Sequence, residues 1–89
     1  MKLTILAQEI SNEQAFYNRI VNFLDYKSYF GNNLDALYDM LTESRPHYEI
    51  EIDDPDFSER FDGRGAAILA VMEAAAEANK AFDFIYTEG

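Results

Sequence analysis

Residues 48–52, Tyr48-Glu49-Ile50-Glu51-Ile52, alternate large apolar and acidic side chains without a break. Successive side chains of a strand point to opposite faces, so this run predicts a strand with one face covered and the other wet. Beyond it, Asp53-Asp54-Pro55-Asp56 predicts the start of a short helix, with Pro55 near the first turn, where a missing N–H costs nothing. Gly63 and Gly65 mark a break, and an alanine-rich helix from about 66 to 79 follows, with Ile68, Leu69, Val71 and Met72 on its apolar side. Phe82-Asp83-Phe84-Ile85-Tyr86 makes a closing strand. Before it, Pro46 ends a helix that Asn32 or Asn33 can cap and that runs to about Thr42. The stretch 25–31 has no period and reads as a loop. Phe16, Ile20, Phe23 and Leu24 recur at helical spacing over 12–25, with Ser11 as N-cap and Gln14 completing a capping box. Residues 2–6 alternate and read as the first strand. The order is βααβααβ, and strands separated by helices predict an α/β fold. The expectation is one domain over residues 1–89, a small three-stranded parallel sheet packed with about four helices.

Composition narrows the class. Hydrophobic residues make up 48% of the 89, which excludes a disordered acidic tail. Cysteine is absent, so no disulfide framework or thiolate metal site can form, in keeping with the cytoplasm. The apolar run Leu3–Ala7 is broken by Gln8, whereas a signal peptide needs about 7–15 apolar residues and a membrane span about 20. A soluble cytoplasmic protein is expected, with no membrane partner. Seventeen acids against seven bases give a net charge of −10, which repels nucleic acid and attracts basic partners. Simple solubility remains the plainer explanation of that charge taken alone.

Catalytic signals are weak. There is no Gly-rich phosphate loop, nucleophile elbow or zinc spacing. His47, the single histidine, has no Ser or Cys partner in a recognisable motif. The stretch 49–62 holds seven acids and one base, Arg60, but lacks the glycine and terminal Glu of a calcium loop, so a solvated edge is expected. No metal, no cofactor and no enzymatic activity are expected.

The informative run is 29–41, Tyr29-Phe30-Gly31-Asn32-Asn33-Leu34-Asp35-Ala36-Leu37-Tyr38-Asp39-Met40-Leu41. At 100° per residue, Leu34, Leu37 and Leu41 share a face that should be buried. Asp35, Tyr38, Asp39 and Thr42 fall opposite. That face offers an aromatic ring between two carboxylates, Glu43 adds a third, and no base occurs between Tyr29 and Ser44. Like charges at i, i+4 cost a few tenths of a kcal/mol, and Asp is a poor interior helix residue. Stability alone would sooner place a Lys there. Either the face is merely solvated, or the carboxylate pair is aimed at a partner's cationic site.

The run resembles the binding loop and second helix of the barstar family, intracellular inhibitors of barnase-type ribonucleases. Chain length and element order fit as well, and more loosely so do residues 65–75 and 82–86. The resemblance implies inhibition by mimicry, in which the helix plugs the nuclease active site and a carboxylate takes the place of a substrate phosphate among Arg, Lys and His. Asp39 stands where that carboxylate belongs and Asp35 where a second reaches the same pocket. Tyr29 would lie against the enzyme's catalytic His. Phe30, Asn33, Leu34, Tyr38, Thr42 and Glu43 would complete the patch, on a chain that is a monomer when free.

Two departures stand out. The family commonly has Trp where Tyr38 stands, and often Gly-Trp where this chain has Glu43-Ser44. The family archetype's long-helix glutamate aligns with Ala74, between Glu73 and Glu77. A binding module for another basic protein therefore stays open beside the nuclease inhibitor. Hydrolysis by paired carboxylates is the remaining, enzymatic alternative.

Overall fold

Three runs rich in β-branched and aromatic residues form the sheet. The computed structural model, which describes residues 1–28 and 30–87, has β1 at Lys2–Leu6, β2 at Tyr48–Asp53 and β3 at Phe82–Thr87. All pair parallel in the order β1-β2-β3. The register aligns Leu3 with Ile50 and Phe84, and Ile5 with Ile52 and Tyr86. Helix α1 is Glu13–Leu24, α2 is Leu34–Leu41 and α3 is Arg64–Ala78.

The covered face carries Leu3, Ile5, Tyr48, Ile50, Ile52, Phe82, Phe84 and Tyr86, all in one cluster with Phe16 and Ile20 of α1, Leu37 and Leu41 of α2, and Ile68 and Met72 of α3. The opposite face carries Lys2, Thr4, Leu6, Glu49, Glu51, Asp53, Asp83, Ile85 and Thr87, none of them buried. Parallel sheets usually have both faces covered and read as continuous apolar runs. Here one face is bare, which is why β2 alternates so cleanly. Lys2 bridges Glu49 and Glu51 on that face, at 3.2 Å each.

Three α-helices are present where about four were expected. The segment after β2 makes only a 3-10 turn, Phe57–Glu59. Its chain is pinned by Asp54, which is buried, pairs with Arg60 and accepts the Asp56 N–H at 3.1 Å. Phe61, Asp62 and Gly63 then all have positive φ, at 58°, 56° and 87°. The turn ends at Arg60, whose backbone is extended at φ −69°, ψ 159°, and the left-handed residues that follow cannot resume a right-handed helix. A second 3-10 turn, Ala7–Glu9, follows β1.

The caps also differ from expectation in one place. Asn12, not Ser11, caps α1, its side chain accepting from Ala15 N at 2.8 Å. Gln14 completes no capping box, since its amide goes to Asn18 and Asn32. Asp25 ends α1 in the left-handed region at φ 51°, and Tyr26 N–H returns to Val21 O at 3.1 Å.

Gly63 caps α3, but Gly65 lies inside its first turn instead of breaking the chain. A Cβ at Gly65 would sit 1.7 Å from the Phe57 carbonyl oxygen, so only glycine lets α3 approach the 3-10 turn this closely. Gly65→Ala should therefore destabilise by about 1–3 kcal/mol, as overpacking does, although Ala is the better helix former by about 1 kcal/mol. Urea unfolding checks this, and parent-like or higher stability would refute the close-approach account.

Candidate functional site

Helix α2 has eight residues, too few to persist alone in water. It is held at both ends and along one side. At its N-terminus Asn33 accepts the Ala36 N–H at 2.8 Å and donates to Gly31 O at 3.3 Å. Along its inner side Leu37, Met40 and Leu41 are fully buried. Its last carbonyls receive donors from three other segments. Tyr48 OH from β2 reaches Leu41 O at 2.7 Å, Asn79 Nδ2 beyond α3 reaches the same oxygen at 2.9 Å, and Arg45 donates to Met40 O at 2.6 Å.

This anchoring turns Asp35, Tyr38 and Asp39 to solvent, with Tyr38 37% exposed. Among the described residues, neither carboxylate makes a hydrogen bond or ion pair. Six of the seven bases, by contrast, form ion pairs with other acids. Leu34 is half-buried and packs on the core, as does Phe30, whose ring lies 5.2 Å from that of Tyr17. Thr42 differs from the expected open face. It is half-buried, and its hydroxyl turns back to Tyr38 O at 2.8 Å. Tyr29 lies outside the described residues.

Glu43 is exposed but engaged. Arg45 lies 3.6 Å from its carboxylate, and the Tyr26 phenol feels that carboxylate too. Burial, then the Glu43 carboxylate, raises the Tyr26 phenol above its ordinary value, and the charge of Asp39 adds to the rise. Tyr26 thus borders the α2 face. The sequence carried no sign of this, because Tyr26 sits in a stretch without periodicity and Glu43 lies seventeen positions along the chain.

Elsewhere the charges serve the fold. Arg64 grips Glu13 with Nε at 2.8 Å and a terminal nitrogen at 2.9 Å. That fork, aided by the Tyr17 hydroxyl, holds the Glu13 carboxyl below its usual range, while burial pushes the Tyr17 phenol up to about 12. The Glu13 contribution is present at neutral pH and is lost as pH falls through its depressed value. His47 Nε2 meets Asp83 Oδ2 at 2.7 Å on the open side of the sheet. Among the described residues no three His, Cys, Asp or Glu side chains gather as a metal site. A depression between β1 and α1 is lined by Leu3, Arg19, Asn22 and Phe23, without an acid. Glu73, Ala74 and Glu77 all lie on the exposed side of α3. No helix among the described residues is long and apolar enough to cross a membrane.

A three-stranded parallel sheet covered on one face by three helices, with a short acidic helix turned to solvent, defines a small α/β protein of the barstar-like class. The family model described as Barstar (barnase inhibitor) matches residues 1–87, and the chain belongs to that family, which places its function broadly with barnase inhibition. Comparison with curated proteins gave no match.

The C-terminal anchor of α2 has a measurable weight. Asn79→Ala removes a donor from Leu41 O and an acceptor from Ala81 N, which is bound at 3.1 Å. A loss of about 1–3 kcal/mol is expected from leaving such groups underpaired. Chemical unfolding reads it directly, and a change under a few tenths would show that Tyr48 alone suffices.

Proposed function

We propose that this chain inhibits a basic, barnase-type ribonuclease by pressing α2 and the loop before it into the enzyme's active site, with Asp39 taking the place of a substrate phosphate. The observation that carries the reading is the state of Asp35 and Asp39. They lie one turn apart on the outer side of a helix whose inner side is locked into the core, and both lack a partner among the described residues. A carboxylate so placed makes charge-assisted, often bidentate bonds when an Arg arrives. Asp35 would support the same pocket, and Tyr38 is the exposed aromatic anchor. Tyr29, Phe30, Asn33, Leu34, Thr42 and Glu43 would form the surrounding patch. The chain would act as one domain over residues 1–89, in the cytoplasm and as a monomer, and would bind its target without carrying out catalysis.

A second reading, a docking module for a basic protein that is not a nuclease, draws support from Glu43. That carboxylate is already engaged by Arg45 and Tyr26, and Ala74 offers no charge from α3. Inhibition of a small basic ribonuclease in a cleavage assay separates the two.

Asp39→Ala is the direct test. An exposed helix-face substitution should change stability by no more than about 0.5 kcal/mol. Truncating one partner of a charge pair buried on docking costs about 2–5 kcal/mol or more of affinity. Binding of the variant as tightly as the parent would overturn the mimicry.

Association should also be fast and strongly salt-dependent, because a protein of net charge −10 steers a cationic partner. At 1 M salt the Debye length falls to about 3 Å and the steering is screened. Stopped-flow association rates that stay flat from low to high salt would remove steering from the mechanism.

A further inference from the structure

The loop that leads into α2 is tied to a part of the molecule that is not on the docking face. Gln14, in the first turn of α1, donates from Nε2 to Asn32 Oδ1 at 3.0 Å. Asn32, in that loop, has a left-handed backbone, φ 54°, and its neighbour Asn33 caps α2. One turn further along α1, the buried Tyr17 ring packs on Phe30 at 5.2 Å. Tyr17 is itself fixed, since its hydroxyl donates to Glu13 Oε2 at 2.8 Å while Arg64 holds the same carboxylate from the start of α3. Two struts therefore reach the loop from α1, one polar through Gln14 and one aromatic through Tyr17, and the second is braced by α3.

The geometry points to Gln14 and the Glu13–Arg64 pair as positioning residues for target binding. They hold residues 30–33 in the docking conformation before the partner arrives, though none of them belongs to the proposed interface. This inference rests on the inhibitor reading above. Its physical basis is preorganisation. A loop that must be ordered on binding gives up affinity for each backbone and side chain immobilised, whereas a loop already braced gives up little. Asn32 gains from the brace, because asparagine tolerates the left-handed region without being confined to it. If the binding-competent loop is only fractionally populated, apparent affinity falls by that fraction.

The test uses the full chain and barnase as the probe, comparing the parent with Gln14→Ala, Arg64→Met and Asp39→Ala. Gln14→Ala leaves the net charge unchanged. Arg64→Met makes the protein more negative, which by field alone would speed encounter with a basic enzyme. Each positioning variant is expected to weaken binding about ten-fold, the effect of freeing one or two rotamer-rich groups. Faster hydrogen exchange at the amides of residues 30–33 in the free protein should accompany this, well below the melting temperature. A merely structural role would lower the melting temperature and leave both readings at parent values. Parent-like affinity in both variants, with Asp39→Ala still crippling binding, would overturn this inference while sparing the inhibitor reading. Weaker binding without faster exchange at 30–33 would overturn it too. Retained affinity in Asp39→Ala would instead remove the inhibitor reading beneath it.

Discussion

The buried hydroxyl of Tyr48 donating to the carbonyl of Leu41 is the contact on which the presentation of α2 depends. Tyr48 opens the central strand, is fully buried, and stacks on Phe82 of β3 at 4.9 Å. Its position is therefore set by the sheet and not by the helix it supports. An eight-residue helix cannot nucleate and persist by its own hydrogen bonds. Tyr48, with Asn79 and Arg45, supplies donors where the last turn would otherwise expose its carbonyls. Arg45 also lies over the Tyr48 ring, 5.6 Å from its centroid, so the same aromatic group orients a second donor. The acidic face inherits its rigidity from the core.

The electrostatics divide along the same lines. Some ion pairs bind element to element, Glu13 to Arg64 between α1 and α3 and Lys2 to Glu49 and Glu51 between neighbouring strands, while Asp54 and Arg60 pair around one turn. The buried Asp54 needs its Arg, because an uncompensated charge there would be costly. On α2 no such pairing occurs among the described residues, and the mutual repulsion of Asp35 and Asp39 is not offset by any of them. The fold tolerates that small cost because the apolar side of the helix is so fully buried.

Much of this was legible in the residues themselves. The alternation of 48–52 announces a one-sided strand, and the structure extends it by one residue to Asp53. The spacing of Leu37 and Leu41 against Asp35 and Asp39 orients α2 correctly, since a helix face follows from local geometry alone. What escaped was set by particular contacts and backbone angles that periodicity does not encode. The expected fourth helix fails because Asp54, Arg60 and the approach of Gly65 to Phe57 shape that turn. Glu43 looked like a free acid until the chain brought Tyr26 and Arg45 to it. Ser11 and Asn12 are both good caps, and only the backbone decides that Asn12 does the capping.

The separation of the two sides of α2 bears on how such a protein can diverge. Leu37, Met40 and Leu41 answer to the core, while Asp35, Tyr38 and Asp39 answer to solvent, and no side chain among these six serves both. Substitutions on the outer side leave the folding free energy almost untouched, so partner choice can be rewritten by a few exchanges without a compensating change inside. Specificity is a difference between affinities, and a rigid surface of independent positions lets it shift one residue at a time. Evolvability is thus built into the angular layout of one short helix.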